Sequence, residues 1–243
     1  MQICHDDRVH PDSDATADVE AARLRRQVAR QSWSVGIATG AYGISFGALS
    51  VASGLDVWQT IALSALMFTG GSQFAFVGVI GAGGSGLAAI AAASLLGIRN
   101  GLYGLQVARF LDASGLRRLA AAQLTIDEST AMALAHPDPP AASRRAFWST
   151  GIAVYVLWNI GTVVGALGAA AIDDPAALGL DAAIPAGFIA LLWPRLVGRT
   201  MWAVALAGAV VALALTPWLR PGLPVLAAGL VAFTASWLVG RRS

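Results

Sequence analysis

From residue 33 to residue 239 the chain is a train of apolar runs separated by arginines, prolines and glycines. The runs cover 33–53, 58–80, 85–111, 119–135, 147–171, 183–197, 200–218 and 223–239. A helix rises 1.5 Å per residue, so about 20 residues cross a hydrocarbon core about 30 Å thick. Five of the runs reach or approach that length, while 183–197 is short and limited by Pro194. Hydrophobic residues make up 56% of the chain and charged residues 12%. Soluble domains carry about 25% charge, so a soluble chain of this size could not cover so much apolar surface. The prediction is an all-α, polytopic transmembrane helical bundle of about 7–8 passes, with interrupted helices and a hint of inverted repeats. Residues 1–31 form a polar, disordered cytoplasmic N-terminus with a short basic helix over 21–31. Residues 32–240 form one transmembrane domain.

The charges are arranged by position. Six of the 14 acidic residues fall within the first 20 positions, and Arg23, Arg25, Arg26 and Arg30 precede the first run. Arginines punctuate the runs and form no continuous patch, which argues against nucleic acid as a partner. Excess Arg marks the cytoplasmic side of short loops. Arg144 and Arg145 then place the 136–146 loop inside, and Arg241 and Arg242 place the C-terminus inside with the N-terminus. Two inside segments require an even number of crossings between them, and three good runs lie there. Either 119–135 crosses despite Asp127 and Glu128, or 85–111 is a hairpin turning near Arg99–Gly101.

Polar residues inside apolar runs are the candidates for chemistry. Gly70 and Gly71 weaken the second run and expose Thr69, Ser72 and Gln73 at membrane depth, beside Phe74. Unwound backbone there can bind the carboxylate and ammonium of a zwitterion, whereas the structural alternative is close helix packing. Arg99, Asn100 and Tyr103 form a second cluster. Arg99 can pair with a carboxylate of the protein or of a substrate, or simply end a helix at the interface. Asp127 and Glu128 are the candidates for proton or ion coupling, or else solvated acids on a surface helix. Asn159 lies in an apolar helix, where helix–helix bonding competes with ligand binding. Gly36, Gly40, Gly43 and Gly47, and later Gly161, Gly165 and Gly168, line helix faces suited to close approach.

His5, His10 and His136 show no metal spacing, and the one cysteine, Cys4, excludes an intrachain disulfide. No phosphate-binding glycine loop and no nucleophile elbow is present. The expectation is therefore no enzyme, no catalytic residue, no cofactor and no metal.

In order along the chain, Ser45-Phe46-Gly47, Gly54-Leu55, Phe68 to Phe74, Arg99 to Gly104, Asp127-Glu128-Ser129, Leu178 to Asp181 and Ala186 to Phe188 resemble the AzlC family over roughly 33–200. That family comprises the larger subunits of branched-chain amino acid exporters. The chain departs from the family pattern at Gly43-Ile44-Ser45, Gly70-Gly71-Ser72 and Asn100, all near the candidate site. The resemblance implies export of leucine, isoleucine, valine or methionine across the cytoplasmic (inner) membrane, with a small AzlD-type membrane partner. A channel or permease for another small metabolite, and a membrane scaffold without transport, are the competing readings.

Overall fold

The computed structural model describes residues 11–172, 189, 192–193, 196–219 and 222–240, and every regular element among them is an α-helix. These are α1 (Pro11–Ala52), α2 (Val57–Leu66), α3 (Gly70–Gly81), α4 (Gly86–Leu111), α5 (Gly115–Gln123), α6 (Asp127–Leu134) and α7 (Pro140–Ala170). Two more follow, α8 (Arg199–Leu215) and α9 (Leu223–Gly240). Among the described residues, α1 over 18–52, α4 and α7 are long and apolar enough to cross a membrane. The other apolar helices are shorter, so the expected 7–8 full-length passes are not observed there. Most of the 183–197 run, and the 178–181 and 186–188 segments of the resemblance, lie outside the described residues.

The basic segment 21–31 is not a separate surface helix. It is continuous with the first apolar run inside α1, and residues 11–20 are helical too. No glycine or proline falls between Asp12 and Gly36, and Ala, Arg and Leu favour a helix throughout.

α1 and α7 run parallel along a glycine seam. Ser32 Oγ meets Thr150 Oγ1 at 2.9 Å near one end, and Gly47 lies against Thr162 and Ala166 near the other. A Cβ at Gly43 would stand 2.6 Å from the Trp158 carbonyl oxygen. From the other helix, Gly161 and Gly165 press on the carbonyls of Gly40 and Ile44. Lipid gives no hydrophobic drive between helices, so close backbone contact of this kind holds them together. The opposite face of α7 exposes Ile152, Val156, Ile160, Val164 and Leu167 at helical spacing, as a lipid-facing stripe would.

Two broken segments fill the space beside this seam, and both turn back. After α2 the chain breaks at 67–69, and Gln73 Nε2 donates to the carbonyls of Leu63 and Ser64. Along a straight helix those residues would be about 15 Å apart. α3 then runs out beside α4, with Ser72 near Gly97 and Ala75 and Val79 packed on Ala89 and Ala92. The run at 58–80, expected as one pass, is thus a hairpin that starts and ends where α1 ends.

The second hairpin is α5 and α6, broken at 124–126. Arg144 Nη1 donates to the Phe110 carbonyl at 3.4 Å, so α4 ends where α7 begins. The 112–139 segment between them starts and ends on that same side, and 119–135 does not cross. α4 itself is unbroken for 26 residues, which overturns the hairpin at Arg99–Gly101. Ser85 caps its start by accepting from the Ala88 N–H. Parity is met by α1 and α4 alone, because the two hairpins enter from opposite ends. The result is a helix followed by a hairpin, then a helix followed by an inverted hairpin.

Candidate functional site

A helix that ends inside the protein leaves four carbonyls without intrahelical donors. At the end of α2 the Met67 N–H reaches the Leu63 carbonyl, and side chains supply those of Ser64 to Leu66. Gln73 serves Leu63 and Ser64, and Gln123 Nε2 donates to Ala65 at 2.8 Å and Leu66 at 3.3 Å. Tyr155 Oη adds a second donor to Ala65. Gln123 is the last residue of α5, so the tip of one hairpin caps the other.

The start of α3 is treated differently. Gln73 N–H makes the first bond of the helix, to the Thr69 carbonyl at 3.0 Å. The N–H groups of Gly70, Gly71 and Ser72 therefore have no intrahelical acceptor. Thr69 holds the N-cap position without capping through its side chain, and its Oγ1 is buried with no partner. These N–H groups and the positive end of the helix dipole favour an anion.

The start of α6 already carries its anions. Asp127 and Glu128 occupy its first turn. The break before it is well bonded. Asn100 Nδ2 donates to the Thr125 carbonyl at 3.2 Å, and Ser129 Oγ donates to the Leu124 carbonyl at 2.6 Å. Between the two helix starts lies Arg99 of α4. Its Nη1 pairs with Asp127 Oδ2 at 3.0 Å. Its Nη2 lies where a Cβ at Gly71 would be only 3.0 Å away, and its Nε is buried without a partner.

These groups surround a cavity of about 540 Å³. Its polar arc is Thr69, Gly70, Gly71, Arg99, Asp127 and Glu128. Its apolar arc includes Tyr42, Phe68, Phe74, Ile126, Val154 and Trp158. Trp158 stacks on Phe46 at 5.9 Å and meets Phe74 edge-on, which fixes that wall.

Of the residues singled out from the sequence, Gly70, Gly71, Phe74, Arg99, Asp127 and Glu128 line the cavity. Ser72 and Gln73 do not. They are buried behind it, and Gln73 is spent on capping α2. Asn100 braces the second tip instead of facing the cavity. Tyr103, one turn beyond Arg99 on α4, is not part of the lining, and Asn159 donates to the Tyr155 carbonyl of its own helix at 2.8 Å. Sequence reasoning left Tyr42, Trp158, Gln123 and Tyr155 out of the site. Only the position of Gln123, a lone amide in a weak apolar run, hinted at its use. Among the described residues no group of three or more His, Cys, Asp or Glu could hold a metal.

A family model described as AzlC protein matches residues 34–172, which is more than half of the chain. The match takes in the glycine seam, both hairpins and the polar arc of the cavity, while α8 and α9 lie beyond it. No curated protein and no solved structure gives a significant match.

Proposed function

The chain belongs to the AzlC family, a family of membrane transport components, and on that premise we propose that it exports small apolar amino acids. The substrates are leucine, isoleucine, valine and methionine, carried across the cytoplasmic (inner) membrane by alternating access. The N- and C-termini face the cytoplasm, and a small AzlD-type membrane subunit is the partner.

One observation supports this reading above the others. The cavity sets N–H donors and Arg99 along one part of its polar arc and Asp127 and Glu128 along the next, joined by the Arg99–Asp127 pair, with an aromatic wall opposite. A zwitterion with an apolar side chain has the matching three parts. Its carboxylate goes to the start of α3 and Arg99, its ammonium to the carboxylates, and its side chain to Phe74 and Trp158. The carboxylates are also where a coupling proton or cation would exchange with the ammonium.

Cells loaded with a leucine dipeptide test the proposal. Arg99→Ala should abolish leucine efflux while the protein still inserts at wild-type level. Wild-type efflux from that variant refutes the assignment. Saturable leucine counterflow in proteoliposomes distinguishes a carrier from a channel.

A further inference from the structure

The three nitrogens of Arg99 are in three different situations. Nη1 is held by Asp127 Oδ2 at 3.0 Å. Nε is buried and bonded to nothing. Nη2 lies against the start of α3, so close that a Cβ at Gly71 would stand 3.0 Å from it. In a guanidinium, Nε–H and one Nη2–H point the same way and form one edge of the planar fork. That edge accepts a carboxylate with two parallel bonds. Asp127 takes the nitrogen that is not on it.

We infer that Asp127 is a positioning residue for Arg99, holding the guanidinium so that its Nε–Nη2 edge and the N–H groups of Gly70 and Gly71 make one seat for a substrate carboxylate. The inference rests on the amino acid reading above and divides the labour of the two acids. Asp127 holds Arg99 through Nη1, and Glu128, beside it in the first turn of α6, is assigned to the ammonium or the coupling ion. Glycine at 71 fits the same geometry, because a Cβ there would crowd Nη2 at 3.0 Å and shift the guanidinium along the helix start. Two supports fix the fork in place: Asp127 sits in the first turn of α6, and the neighbouring Asn100 holds the break before that helix. A point charge at 99 could not reproduce the seat, because an ammonium has no planar edge.

The test compares leucine with leucinamide, which keeps the ammonium and the side chain but has no carboxylate. Both are measured as competitors of labelled leucine in proteoliposomes. Arg99→Lys should raise the KM for leucine roughly 10- to 100-fold, as expected for loss of a paired, charge-assisted bond. It should leave inhibition by leucinamide within about threefold. Asp127→Ala should show the same selective loss. Asp127→Asn, whose amide oxygen still accepts from Nη1, should recover most of it. Equal losses for leucine and leucinamide in Asp127→Ala would overturn the positioning role. So would an Asp127→Asn variant as impaired as Asp127→Ala, since that marks Asp127 as a proton carrier. If wild-type protein transports no leucine at all, the amino acid reading falls first, and that outcome is separate from these. Gly71→Ala gives an independent check with no charge removed: it should raise leucine KM without altering leucinamide inhibition, and unchanged leucine KM in a folded variant would also overturn the seat.

Discussion

The two hairpins are built alike and finished differently. Each consists of two short helices, each breaks over three residues, and each presents the start of its second helix to the same cavity. The start of α6 is finished from within: Asp127 and Glu128 meet its dipole, and Ser129 and Asn100 bond the turn. The start of α3 is left open, with two glycines, an uncapping Thr69 and Arg99 laid across it. One tip brings its own anion and the other awaits one. The inequality between otherwise matched hairpins gives the site its direction, which on the proposed amino acid reading orients the bound zwitterion.

The sharpest way to break this comparison is to make the two tips equal. Gly71→Asp gives α3 the acid that α6 already has, and that acid would itself take Arg99. Leucine efflux should fall on the order of 100-fold or more, as when a buried charge loses its partner. Efflux near wild type would show that the open tip is not where the substrate carboxylate goes. A smaller effect comes from Gln73→Leu, which removes the only side-chain donor to the Ser64 carbonyl among the described residues. An unmet buried carbonyl costs about 1–3 kcal/mol. At about 2–4 °C per kcal/mol in a chain of this size, melting in detergent should register it. The smallest is Asn100→Ala at the other tip, where the loss is about 1 kcal/mol and leucine KM should stay within about threefold. If Asn100→Ala lowers melting more than Gln73→Leu does, the finished tip is the weaker one and the comparison must be reversed.

Much of this was legible in the residues. The seam follows from glycines spaced three and four apart in the first and fifth runs, whereas the break expected at Gly70-Gly71 falls at 67–69, just before the pair, and both glycines are helical as the first residues of α3. The direction of the chain was not legible. A hydropathy profile of 58–80 is the same whether the segment crosses or doubles back, because composition carries no sign of orientation. Arg99 and Asn100 read as a break in a helix, yet α4 passes through them intact, since both side chains reach across to the second hairpin. Asp127 and Glu128 read as a fault at the middle of a span. They are instead at the start of a helix, where negative charge is favoured. The partners of Gln123 and Tyr155 could not be read from sequence, because they are backbone carbonyls 57 to 90 positions away.

The amide and phenol groups clasping the end of α2 bear on how the cavity can open. Leu63 to Leu66 accept from Gln73, Gln123 and Tyr155. A tip drawn away into lipid would leave the Ala65 and Leu66 oxygens without the Gln123 and Tyr155 hydrogens, whereas a tip drawn away into water would be rehydrated at once. Motion of this hairpin is therefore permitted along one route and forbidden along others. Unfastening and flooding become a single event, so in the proposed transport cycle the compartment that supplies the water is the one that receives the substrate.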